Sequence, residues 1–218
     1  MLTMKELMMK SNVKFLVAMV AVVSFAYATG NYAQVDAGEK DVLVANSASP
    51  SRLPAYNYAG TDSLEAAISM YVVSEFGTHY AQSDVSIPIV NILATEPSKY
   101  GEILVWGSFW VLNYELRGNT LFCVSGGEYP GVAHLKKSSN GGYIVKRLDV
   151  IEDGSRYVKS AKKIFGKYYD EWEKNMSSNE ALRESKRTEM ISDYVKANGL
   201  FVTMYQDYGW EPKLLSAK

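Results

Sequence analysis

One cysteine and two histidines, Cys123, His79 and His134, carry the rarest reactive side chains in this 218-residue chain. A lone cysteine forms no intrachain disulfide, and one thiol with two distant histidines does not supply a structural zinc cluster, so no metal site is expected. Cys123 sits in the apolar run Leu121-Phe-Cys-Val124. That context favours a buried, inert thiol over a nucleophile, because an apolar surrounding raises a thiol's pKa. The competing reading is a Cys123/His134 dyad across a hairpin. Neither Gly-x-Ser-x-Gly nor His-Glu-x-x-His occurs, which removes the commonest hydrolase signatures. Acidic residues are plentiful, but no pair stands out as a glycosidase-type acid and base. No phosphate-binding loop or other cofactor motif is present, and no cofactor is expected.

The stretch Ser125-Gly-Gly-Glu-Tyr-Pro-Gly131 is the other place where chemistry could reside. Gly126 and Gly127 allow close backbone approach or positive φ, and Glu128 and Tyr129 would project from it. It is either a pocket rim or partner-contact loop, or a bulge that bends a long strand; the bulge is the favoured reading. Trp106, Trp110, Tyr114, Tyr129 and His134 either converge on a cavity or pack as aromatic core, with core packing favoured. His79, near a helix end, either lines a pocket mouth or is partly exposed. Trp106, Trp110, Tyr114, Glu128, Tyr129, His134 and His79 are therefore the candidate ligand-pocket or partner-contact residues. No catalytic residue is assigned.

The element that must position them is residues 102–117. Read with period two, one face carries Ile103, Val105, Phe109 and Val111, and the other Leu104, Trp106, Trp110, Leu112, Tyr114 and Leu116. Both faces are apolar, as in a strand covered on both sides. Around it the pattern predicts a helix with Thr61, Asp62 or Ser63 as N-cap and Leu64, Ala67, Ile68, Tyr71, Val72 and Phe76 as its stripe. A strand over 85–95 follows, which Pro88 should confine to a sheet edge or a bulge. Arg117-Gly-Asn-Thr120 reads as a hairpin turn, strand character resumes at Thr120–Ser125 and Val132–Lys136, and Tyr143–Ile151 is the next strand. A second helix starts near Asp153, with a break or kink at Gly166. A third runs from about Ser178 to Asn198-Gly199. Phe201, Tyr205, Tyr208 and Trp210 make an aromatic tail expected to dock on something.

At the other end, Lys5, Lys10 and Lys14 precede an apolar run from Phe15 to Phe25 and the small-x-small triplet Ala26-Tyr-Ala28. Residues 1–28 thus read as a secretory signal peptide, with an uncleaved anchor as the alternative; the run is short for a membrane span. A secreted or cell-envelope location is expected, with no stable membrane span after cleavage. Residues 29–60 read as a flexible spacer, with Asp41–Val44 able to pair as a short strand. The expected organisation is a helix-plus-sheet domain over 61–153 and a helical extension with aromatic tail over 154–218, packing on the same domain. Net charge is −1 and no basic stripe interleaved with aromatics appears, which argues against nucleic-acid binding. Sixteen tyrosines suit sheet packing or a sugar-facing surface.

One helix followed by a meander of long aromatic strands, from Leu64 to Ile151, resembles the cystatin-like α+β architecture, including the NTF2-like cone. The resemblance implies an α+β fold with the helix packed on a curled antiparallel sheet of about four strands. Ser125–Gly131, Ser160-Ala-Lys-Lys-Ile-Phe-Gly166 and Tyr205-Gln-Asp-Tyr-Gly-Trp210 resemble a family of exported gut-bacterial proteins of unknown function. NTF2-like domains host both enzymes and non-catalytic pockets, so architecture does not decide function. The Gln-x-Val-x-Gly hairpin of cystatin inhibitors is absent. The expectation is an exported non-catalytic module binding a small molecule or an extracytoplasmic protein. The alternatives are a cone-type isomerase, lyase or hydrolase using a pocket carboxylate with Tyr or His, and a dimerisation scaffold forming a homodimer.

Overall fold

The computed structural model describes residues 53–139, 141–175 and 180–215. The expected signal peptide, the Asp41–Val44 strand and Asn140 lie outside the described residues. Helix α1 spans Ser63–Phe76, and Asp62 is its cap: Asp62 Oδ1 accepts from Leu64 N at 2.8 Å and Glu65 N at 3.2 Å. Strands β1 (Val85–Pro97), β2 (Ile103–Arg117), β3 (Thr120–Lys137) and β4 (Tyr143–Val150) follow. Then come α2 (Tyr157–Phe165), α3 (Tyr169–Asn175), α4 (Glu180–Ala197), β5 (Met204–Asp207) and β6 (Lys213–Leu214). The result is an α+β fold built on one curled, mixed sheet.

The four antiparallel strands expected from the pattern are β1 to β4. The tail adds two more: β5 runs parallel to β3, with Thr120 opposite Met204, and β6 pairs with β5. One edge of β3 is thus shared, by β5 near its start and by β4 near its end. β1 forms a sheet edge, which accommodates the missing N–H of Pro88. The 125–131 stretch is not a loop. β3 runs straight through it, with a register shift beside Val124 that fits the bulge reading. Asn113 fixes that bulge from β2, donating from Nδ2 to Ser125 Oγ at 3.0 Å while its Oδ1 accepts from Ser86 Oγ at 2.6 Å. Further shifts beside Leu93 in β1 and Lys146 in β4 add to the twist. Gly107 of β2 pairs with Ile92, next to the Leu93 irregularity of β1.

The two faces of β2 have different covers. Val105, Phe109 and Val111 pack under α1 with Ile68 and Val72. Burying each of these side chains contributes about 1.5–3 kcal/mol. On the other face Tyr114, Leu112 and Leu116 meet Met190, Ile191 and Tyr194 of α4, with Tyr205 of β5. Further along, Trp106 packs with Phe165 of α2 and Trp172 of α3. α2 and α3 are separated by a short 3-10 turn at Gly166, whose φ of 51° ends the helix where glycine was expected to break it. Leu53 and Tyr56, the end of the stretch read as spacer, lie in the α4 cluster, and Tyr194 Oη donates to Pro54 O at 2.6 Å.

Candidate functional site

Trp110 and Glu128 are direct cross-strand partners on β2 and β3, on the face turned away from α1. Ser108, two residues before Trp110, shares that face. α3 delivers Trp172, whose Nε1 donates to Ser108 Oγ at 3.4 Å, and Ser108 lies on the same face as Glu128, near enough to favour its ionised form. α4 delivers Arg183, whose guanidinium carbon stands 5.5 Å from the Trp110 ring centre. Tyr157, at the start of α2, has its ring 6.3 Å from Trp172 and close enough to Glu128 for their charges to interact.

Each position follows from its element. The pleat puts Ser108, Trp110 and Glu128 on one side of the sheet. The break at Gly166 lets α3 turn so that Trp172 stacks on Phe165 at 4.6 Å, with its indole N–H aimed at the sheet. Burial pushes the Glu128 carboxyl above the usual carboxylate range; the Ser108 hydroxyl and the Arg183 charge pull it back in part. Among the described residues no ion pair neutralises Glu128. Burial, with the charge of Glu128 second, also raises the Tyr157 phenol. The arrangement offers aromatic surface, a carboxyl that retains its proton more readily than usual, a hydroxyl and a guanidinium. It can hold a polar ligand through hydrogen bonds.

The other candidates are dispersed. Trp106 Nε1 donates to Ile164 O at 2.9 Å and its ring lies 5.1 Å from Tyr168, which makes it core packing. Tyr114 is fully buried, its hydroxyl accepting from Arg187 Nε at 2.9 Å. Tyr129 lies on the α1 side, stacked on Phe76 at 3.9 Å, with its hydroxyl 2.7 Å from that of Tyr80. His134 is buried with Nδ1 3.2 Å from Glu102 and Nε2 3.0 Å from Asp149, and Arg147 beside it. His79 is exposed at the end of the α1 region, edge-on to Phe76. The five aromatic and histidine candidates thus pack separately and do not converge.

Cys123 pairs in register with Tyr114, whereas His134 pairs with Leu104 at the far end of β2, so the two form no dyad. Burial pushes the Cys123 thiol up to about 12. The sequence reading missed Ser108, Tyr157, Trp172 and Arg183 as companions of Glu128. It also missed the Arg187 network: Arg187 binds Asp207 through two 2.6 Å hydrogen bonds, and Tyr205 hydrogen-bonds Glu184 and Thr188. Arginine in an amphipathic helix reads as solvent-facing, and only the parallel docking of β5 makes Arg187 internal. Among the described residues no helix is long and apolar enough to cross a membrane, and no group of three or more acidic, histidine or cysteine side chains is placed to hold a metal ion. Comparison of the chain with protein-family models, with curated proteins and with solved structures finds no match.

Proposed function

We propose that the protein is an exported, non-catalytic module that binds a small hydroxyl-bearing molecule on the shelf formed by Trp110, Glu128, Tyr157 and Arg183. One observation carries this reading: Glu128 stands across from Trp110, whose ring faces Arg183, in a desolvated aromatic setting with no neutralising ion pair among the described residues. Such a carboxyl costs stability, and perturbed carboxyls of this kind concentrate at functional sites. Indole and phenol surface with a carboxyl acceptor and a guanidinium donor suits a sugar-like ring. The order of α1 and β1 to β4 supports the finer assignment to the cystatin-like or NTF2-like group. The basic, apolar and small-x-small pattern of residues 1–28 supports export to the cell envelope.

The test is tryptophan fluorescence of the protein lacking residues 1–28, titrated with a panel of mono- and disaccharides. Saturable quenching that Glu128→Gln and Trp110→Phe both weaken supports the reading. A panel without response, together with a Glu128→Gln variant no more stable than the parent at neutral pH, overturns it. A second reading, a cone-type enzyme with Glu128 as general base, draws on the same raised carboxyl. It requires Tyr157 as the partner phenol, so turnover lost on Tyr157→Phe would favour it over binding alone.

A further inference from the structure

A second site lies along α4 from Lys186 to Tyr194, with no residue in common with the Glu128 shelf. Residues 53–62 run as a strap across α4, tied by the Tyr194–Pro54 hydrogen bond and by Asn198 Nδ2 donating to Asn57 Oδ1 at 3.0 Å. Between the strap, the first turn of α1 and the outer face of α4 is a cavity of about 240 Å³. Three tyrosines, Tyr56, Tyr58 and Tyr194, contribute to its wall, and so do four carboxylates and one cation.

The charges are not balanced. Lys186, the one cation in the wall, is engaged by Glu189 at 3.1 Å. Asp62 is spent on the α1 cap, where it also offsets the positive end of that helix. Glu65 and Asp193 remain, facing the space from two different helices without an ion pair among the described residues. Glu65 has a neutral phenol as its hydrogen-bond donor, Tyr58 Oη at 3.3 Å. Burial raises the Glu65 carboxyl against the partly offsetting charge of Lys186, and burial with the charge of Glu65 pushes the Tyr58 phenol up to about 12. The cavity is open to solvent at its rim, where Asp62, Glu189 and Asp193 are exposed, and carboxylates outnumber the single lysine in its wall. Phenol rings and an excess of carboxylates over cations around a cavity of this size attract a cation with an organic body, since the rings add cation–π and apolar contact. A bare metal ion does not fit, because the acidic groups do not gather into a set of three.

We propose that this cavity binds a small organic ammonium ion, its charge lying between Glu65 and Asp193 and its alkyl groups against the tyrosines. The experiment is calorimetric or NMR titration of the protein lacking residues 1–28 with choline and with its neutral isostere 3,3-dimethylbutan-1-ol. Choline should bind with a one-to-one stoichiometry and the neutral alcohol should not. Glu65→Gln and Asp193→Asn should each weaken choline by about tenfold, the effect of losing one charge contact. Lys186→Met, which frees Glu189, should tighten it. Glu128→Gln should leave it unchanged, so the two sites succeed or fail separately. Asp193→Asn lies outside the strap contacts and guards against misfolding of the Glu65 variant; unfolding of both would be seen as loss of the NMR spectrum and would overturn a purely ligand-binding role for them. Equal binding of choline and the alcohol overturns the proposal, as does absence of choline binding or indifference to both carboxylate variants.

Discussion

Arg187 of α4 grips Asp207 of β5 through two hydrogen bonds of 2.6 Å, and the same guanidinium donates to the Tyr114 hydroxyl on β2. One side chain therefore ties a helix, the parallel tail strand and the central strand together. Planar, bidentate geometry of this kind is among the stronger polar contacts available.

Asp207→Asn should lower stability by about 3 kcal/mol, because it strands the buried guanidinium; this is the low end for a broken buried pair, since Asp207 is 38% exposed. Burial alone would raise the Asp207 carboxyl, but the Arg187 hydrogen bonds and charge hold it below its usual value. A depressed folded-state pKa contributes stability above the unfolded pKa of about 3.9, and that contribution is lost as pH falls through the folded value. Urea midpoints taken between neutral pH and about pH 3 should therefore fall more for the parent than for Asp207→Asn.

Glu128 has the opposite sign. Its folded-state pKa is raised, so its contribution is full below the unfolded value of about 4.3 and is lost as pH rises through the folded one. Glu128→Gln should raise the melting temperature at pH 7 and leave it nearly unchanged at pH 4. A variant less stable than the parent at pH 7 would show that the carboxylate makes a compensating contact.

Trp172 and Trp110 should separate in a melting experiment. Trp172 is 2% exposed, stacked on Phe165, so Trp172→Ala should cost about 3–5 kcal/mol. Trp110 is only half-buried under Arg183, and Trp110→Ala should cost about 2 kcal/mol, less than a fully buried tryptophan. Equal losses would mean that the shelf is as closely packed as the core.

Gly131→Ala should destabilise by about 1–3 kcal/mol, because a Cβ there collides with the Asp149 carbonyl of the paired strand β4. Gly127→Ala meets the Tyr80 hydroxyl, the tip of a side chain able to move, and should cost less. Denaturant curves of the two variants check the order.

Cys123 is only partly buried but its thiol is held up to about 12, so it should react with DTNB far more slowly in the folded protein than after denaturation. Rapid labelling of the folded protein would show that the start of β3 opens locally.

Period-two alternation in 102–117 was readable because both faces are lined with large apolar residues, and the covers on each side follow from it. The α1 stripe and the Gly166 break were equally local signals. β5 was not legible: Met204–Asp207 is four residues long, and its pairing with Thr120–Cys123 joins segments 84 positions apart. The favoured bulge within 125–131 is present beside Val124, but the use of Gly126 and Gly127 for close packing against Val111 and Tyr80 depends on neighbouring elements that no local pattern shows. At the shelf, the Trp110–Glu128 pair was within reach of register reasoning once β2 and β3 were joined. Trp172 and Arg183 were not, because helix docking decides which of their faces meets the sheet.

The shared edge of β3 has a consequence for how the chain acquires its shape. β4 arrives six residues or so after β3 ends, by a local hairpin. The start of the same strand waits for a partner 84 positions further on, as the Asn119–Thr203 hydrogen bond marks. Closure of so large a loop belongs to the slow class of folding events. Until then, Thr120–Cys123 presents bare backbone donors and acceptors, the kind of template to which a second nascent chain can add a strand. A polypeptide cut short of Met204 would keep that template open indefinitely, so the docking of Met204–Asp207 decides whether this edge is paired or adhesive.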